Sequence, residues 1–140
     1  MKFLSVFTLL LSFSVFANES TVSVSNAWIK AVPPVAKMSA AFMDLKNNAD
    51  KDRTLVDVKA NFSKGVELHT NKKVDVVMKM RPLKKLSLPA GESVSLKPGG
   101  HHIMFIGLKN KLKKGEKKEL ELIFQNGENL KVKLPVKREY

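Results

Sequence analysis

The stretch ELELIFQNGENLKVKLPV, residues 119–136, decides the fold class. Leu120, Leu122 and Phe124 alternate with charged Glu119 and Glu121. Leu130, Val132 and Leu134 alternate in the same way with Asn129, Lys131 and Lys133. A period of two is the mark of a half-buried strand. Between the two runs stands Asn126-Gly127, a dipeptide that accepts positive φ and closes tight hairpins. Glu119 to Phe124 and Asn129 to Val136 are therefore predicted to be antiparallel neighbours.

The pattern recurs outward from this hairpin, and no long segment keeps a helical apolar stripe. Thr21 to Ile29 alternates, with Val22, Val24, Asn26 and Trp28 on one side, until Pro33-Pro34 interrupts it. Met38 to Lys46 and Thr54 to Lys59 are the next candidate strands, separated by the polar, turn-like stretch from Asn47 to Asp52. Val66 to Thr70 and Val74 to Met80 flank a predicted turn at Asn71-Lys72-Lys73. Leu86 to Leu88 and Val94 to Leu96 flank Pro89-Ala90-Gly91-Glu92, and Pro98-Gly99-Gly100 leads into His101 to Leu108. Eight or more short strands at this spacing predict an all-β antiparallel sandwich or small barrel. Trp28, Phe42, Phe62, Phe105 and Phe124 are assigned to core packing, as are Met38, Met43 and Met78.

The amino end reads as an address rather than as structure. Lys2, the apolar run from Phe3 to Phe16 and small residues at Val15 and Ala17 follow the order of a secretory signal, with cleavage expected after Ala17. The run is short for a membrane span, which needs about 20 residues. The expected organisation is a signal peptide at 1–17 and a single domain at 18–140, exported to the periplasm, with no transmembrane segment in the mature chain. No cysteine follows the apolar core, which argues against a lipid anchor, and the whole chain of 140 residues has none. With no disulfide to staple it, the core alone must hold the fold.

The formal charge is +12. Nucleic-acid binding is the first class such a balance suggests. Export argues against it, as does a lysine-rich composition without interleaved aromatics and arginines. The local concentration at Lys109, Lys111, Lys113, Lys114, Lys117 and Lys118 is read as a solvated face. The alternative is attraction of that face to an acidic partner or an anionic membrane surface, as in an interaction module that meets an acidic partner.

The chemistry-bearing residues are few. His102 and Met104 are two apart on a predicted strand, so both project from one face with Cα atoms roughly 6.5–7 Å apart. A second pair, His69 and Met80, lies earlier, and together they spell H-x10-M-x21-H-x-M. Thioether sulfur is soft and favours Cu(I), while imidazole also serves Zn, Ni and Cu(II). A zinc site more often recruits cysteine or carboxylate. Blue-copper electron transfer needs a cysteine thiolate, which is missing. No Ser/His/Asp grouping or carboxylate pair stands at a spacing that suggests hydrolysis, so no enzymatic activity is expected. His101 points away from His102 and is assigned a hydrogen bond to a backbone carbonyl. Met78 shares a face with Met80 and is the most plausible spare ligand.

Taken as a set, these motifs resemble the periplasmic copper chaperones of the PCu(A)C family. Asn26-Ala27-Trp28-Ile29-Lys30, Val32-Pro33-Pro34, Val66-Glu67-Leu68-His69, Met78-Lys79-Met80-Arg81-Pro82 and Leu96-Lys97-Pro98-Gly99-Gly100 extend the likeness over nearly all of the mature chain. The resemblance implies a cupredoxin-like antiparallel β-sandwich with one exposed Cu(I) site, its ligands His69, Met80, His102 and Met104. It also implies delivery to a copper-acceptor protein, a cytochrome c oxidase subunit or assembly factor. One departure is visible: many family members have methionine directly after the first histidine, where Thr70 stands here.

Overall fold

The structure, a computed structural model, describes residues 20–138. The expected signal peptide and its cleavage point lie outside the described residues. Among those described there are ten strands: β1 Val22–Lys30, β2 Met38–Asn47, β3 Arg53–Lys59, β4 Ser63–Val74, β5 Val77–Leu83, β6 Leu86–Leu88, β7 Ser93–Leu96, β8 His102–Leu108, β9 Lys117–Phe124 and β10 Asn129–Lys137. No helix among the described residues is long and apolar enough to cross a membrane.

The hydrogen-bonded order is β5-β4-β8-β2-β1-β10-β9-β3-β6, with β7 added to β2. The path folds over so that its two halves face each other. One half carries β5, β4, β8, β2, β1 and β7, and the other carries β10, β9, β3 and β6. The layers meet through Leu45, Leu55, Ile103, Phe105, Leu120, Leu122, Phe124 and Leu134, all at most 1% exposed. Phe62 stacks on Phe105 with ring centroids 4.8 Å apart. The hairpin at Asn126-Gly127 forms as expected: Asn129 pairs with Ile123, Gly127 takes φ 91°, and its N–H donates to the Phe124 carbonyl at 3.0 Å.

The sandwich is mixed rather than wholly antiparallel, because β1 and β10 run parallel through Ile29–Val136 and Lys30–Lys137. Almost the whole chain connects these two strands, so no hairpin dictates their direction. The turn around Gly91 likewise joins the layers instead of closing a hairpin, since β6 pairs with β3 and β7 with β2.

Two local departures shape the site face. In β1 the register slips between Ser25 and Trp28, a bulge in which Asn26 adopts φ 51°. Asp44 holds that bulge: Asn26 Nδ2 donates to one of its oxygens at 2.9 Å and Ser95 Oγ to the other at 2.7 Å. These hydrogen bonds, with Asn26 foremost, hold the Asp44 carboxyl below its ordinary range. The slip breaks the expected alternation. Val24 pairs with core-facing Leu45, whereas Trp28 pairs with Phe42 on the outer face.

The second departure is in the β4–β5 hairpin. The polar run Asn71-Lys72-Lys73 is strand, not turn, and the chain reverses at Asp75-Val76, where Asp75 takes φ 56°. Asp tolerates that left-handed region better than most residues. Beyond the core the hairpin is solvated on both sides, so polar residues there cost nothing as strand.

Candidate metal centre

The centre is built on β5, β4 and β8, three adjacent strands at one end of the larger layer. Its most fixed member, His102, begins β8 directly after a tight turn. Pro98 presets the first central position, Gly99 supplies φ 81° at the second, and the Gly100 N–H closes the turn on the Lys97 carbonyl at 3.0 Å. The turn leaves the Gly100 carbonyl 3.0 Å from His102 Nδ1. A carbonyl only accepts, so Nδ1 carries the proton and Nε2 keeps its lone pair. His102 is 5% exposed. The backbone-carbonyl role expected for His101 thus falls to His102, while His101 Nδ1 is buried without a partner.

Strand pairing decides what joins it. His69 lies directly opposite His102, and Met104 lies opposite Glu67 on one side and Ala40 on the other. Across the hairpin, Asn71 is opposite Met80 and His69 opposite Pro82. Directly opposed residues share a face, and so do residues two apart. His69, Met80, His102 and Met104 therefore all project from one face, with core-facing Ile103 and Phe105 between them on the other. The imidazoles of His69 and His102 have centroids 5.7 Å apart. Met80 sits one two-residue step from His69 toward the hairpin tip. It is 52% exposed, the most open of the four.

Two of the three methionines expected in the core lie outside it. Met43 is core, at 1% exposed, but Met38 and Met78 are more than half exposed. Met78 stands opposite Lys73 on the arm and shares the Met80 face. The aromatic assignment needs a similar correction. Phe62, Phe105 and Phe124 fill the core, whereas Trp28 packs on Phe42 at 4.8 Å and Phe42 approaches His102 at 6.4 Å. This row walls the buried side of the centre.

Glu67 escaped the sequence reading. Its Oε2 lies 2.6 Å from His69 Nε2. The signal was available: a residue two before His69 on a strand must share its face. With Nε2 engaged, His69 Nδ1 is left buried and without a partner. The described residues hold no group of three or more His, Cys, Asp and Glu able to bind a metal. Two imidazoles with unpartnered nitrogens and two thioethers on one face fit a soft monovalent ion. In the lysine concentration between Lys109 and Lys118, Lys118 reaches Glu116 at 3.7 Å and lies over the Phe62 ring, so that face is not uniformly solvated.

Comparison with known proteins follows the same line. The LpqE-like family model matches residues 22–136. A Leifsonia xyli subsp. xyli protein named as a lipoprotein, Lxx21020, is 36% identical over 117 residues, covering 83% of this chain and 69% of its own. The Cu(I) form of DR1885 from Deinococcus radiodurans is 32% identical with a TM-score of 0.68, over 88% of this chain and 83% of that one. The copper-bound PCuAC domain of PmoF2 is 19% identical with a TM-score of 0.72, over 86% and 95%, and attests the fold.

Proposed function

We propose that this chain, which belongs to the LpqE-like family of PCuAC domains, carries Cu(I) on His69, Met80, His102 and Met104 and hands it to an acceptor protein. The observation that carries the reading is the strand register, which sets His69 opposite His102 and aligns both methionines on that face. Two further facts support it. The 32% identical DR1885 has a Cu(I) form, and the donor set has no thiolate and no cluster of hard ligands.

The chemistry is ligand exchange without electron transfer. All four donors are neutral, so the bound ion keeps one positive charge and no ligand must gain a proton to let it go. His102, buried and fixed through Nδ1, anchors the ion from the inner side. Met80, on the exposed arm, is the ligand an incoming acceptor can replace first. Its Cu–S bond breaks as a bond to the acceptor forms. Export to the periplasm through residues 1–17 and an acceptor in cytochrome c oxidase assembly complete the reading. The Leifsonia relative is named as a lipoprotein; the 140 residues of this chain include no cysteine.

The test is a Cu(I) titration under reducing conditions into the wild type and the double variant His102→Ala/Met104→Ala. One equivalent bound by the wild type and lost in the variant is expected. A wild type that binds no Cu(I) ends the proposal.

A further inference from the structure

We infer that Glu67 is a positioning residue that fixes His69 as an Nδ1 donor, so that the two histidines meet the metal through opposite ring nitrogens. This rests on the copper reading above and extends it to a residue outside the four ligands.

The inference starts from hydrogen-bond chemistry. An ionised carboxylate can only accept, so the 2.6 Å contact between Glu67 Oε2 and His69 Nε2 places the ring proton on Nε2. The shortness is that of a charge-assisted bond. A neutral imidazole protonated at Nε2 has its lone pair on Nδ1, and Nδ1 of His69 is buried with no partner. At His102 the arrangement is reversed, with Nδ1 donating to the Gly100 carbonyl and Nε2 left to bind. Each ring is held in one tautomer by a group on its own side of the centre, Glu67 on β4 and Gly100 before β8.

The topology gives this asymmetry a purpose. Strand β4 lies between β8, which carries His102 and Met104, and β5, which carries Met80. Neighbouring strands are about 4.8 Å apart, so an ion shared by all three sits best above the middle one. His69 is on that middle strand and needs only its near nitrogen, since Nδ1 is bonded to Cγ, the ring atom that carries Cβ. His102 reaches across from β8 and needs its far nitrogen, Nε2. Were His69 to bind through Nε2 instead, the ion would be pushed outward from the sheet, and the bond to Glu67 would have to break. The carboxylate also sets one negative charge beside a site otherwise built of neutral donors.

The experiment uses the full-length mature chain with 15N-labelled histidine. Long-range 1H–15N correlation spectra of the apo protein report the tautomers. Loading with Ag(I), a soft monovalent ion with an NMR-active nucleus, reports the ligating nitrogens through 15N–Ag coupling. The apo wild type is expected to show His69 protonated on Nε2 and His102 on Nδ1. In the loaded protein, coupling is expected at Nδ1 of His69 and Nε2 of His102.

Glu67→Gln keeps an acceptor oxygen in place and should preserve the His69 tautomer. Glu67→Ala should release it and weaken Cu(I) binding about 10–100-fold in competition with a chelator. Glu67 is half-exposed, so its removal opens no core cavity, and circular dichroism will verify the fold of both variants. Silver coupling to His69 Nε2, or a Glu67→Ala variant with unchanged tautomer and affinity, overturns this inference and leaves the copper reading standing. A wild type that shows no coupling to either histidine overturns both.

Discussion

Asn47, the last residue of β2, is fully buried and ties the two layers together. Its Nδ2 donates to the Leu88 carbonyl on β6 at 2.9 Å and to the Lys51 carbonyl at 2.8 Å, and its Oδ1 accepts from the Ala49 N–H at 3.0 Å. Asn47→Ala removes all three bonds. The Leu88 carbonyl stays buried with its partner gone, at a cost of about 1–3 kcal/mol. The other two groups are partly exposed and can turn to water, so each loses about 0.5–1.5 kcal/mol. The expected destabilisation is about 2–6 kcal/mol, a large part of the roughly 5–15 kcal/mol that holds a domain folded. With a urea slope of about 2 kcal/mol per molar, the midpoint should fall by about 1–3 M. Asn47→Asp is the sharper variant. It keeps an acceptor for Ala49 but turns a carboxylate toward two carbonyls, so at neutral pH it should be no more stable than the alanine variant. The folded fraction of either should still bind one Cu(I), since Asn47 lies at the far end of β2 from Ala40, the neighbour of Met104. A midpoint shift below about 0.5 M for alanine, or an aspartate variant as stable as wild type, would refute the clamp.

The acid limb of stability is expected to depend on Glu128. Burial raises its pKa, but hydrogen bonds from Thr21 and Asn126 and the Arg53 guanidinium outweigh it and bring the group below its ordinary value of 4.5. A lowered pKa means that the contribution is present above that value and fades as pH falls through the folded-state value. Glu128→Gln should therefore lose stability at neutral pH and show a flatter decline below about pH 4.5 in urea titrations at stepped pH. Gly99→Ala should cost about 1–2 kcal/mol for its positive φ alone, because an added Cβ meets nothing within 4 Å. It should also weaken Cu(I) binding by shifting the Gly100 carbonyl away from His102. Gly91→Ala, strained alike at φ 72° but remote from the centre, should match the stability loss and leave chelator competition unchanged.

Most of the strands are legible, as are the residue types of the four candidate ligands, because period two and residue type are local properties of the chain; the register that sets His69 opposite His102 is not. What escaped was decided elsewhere. Asn71-Lys72-Lys73 looked like a turn because strands are expected to alternate. β4 runs past the core there, and a two-stranded arm in water has no buried face to impose alternation. Trp28 was assigned to the wrong face because one bulge at Asn26 inverts everything after it, and a single Asn held by Asp44 from another strand leaves no local trace. The parallel pairing of β1 with β10 depends on contacts across the whole chain. Glu67 shares a face with His69 by its spacing of two, but a residue that holds a ligand instead of being one carries no mark of that role in its type.

The placement of Met80 on an edge strand follows from a conflict between exchange and solubility. An ion can be surrendered directly only where a ligand is open to another protein, and the end of the sheet is the most open place a strand can offer. An edge strand carrying exposed Val77, Met78 and Met80 is also a template for unwanted pairing. Lys79, Arg81 and Pro82 are the devices that blunt such edges, two charges and a residue without an N–H. Alternation then matters a second time. Lys79 and Arg81 point to the face opposite Met80, as does Lys72, which pairs with Lys79. The charges of Lys72, Lys79 and Arg81 are thus turned away from the positive ion the arm helps to hold, while Lys73, opposite Met78, shares the ion's face nearer the tip. Glu67 supplies a carboxylate on the ion's side, and a Lys79→Met/Arg81→Met arm should therefore keep its Cu(I) affinity while gaining a tendency to self-associate, measurable by sedimentation. A large change in affinity without association would show that the two faces are not separated in this way.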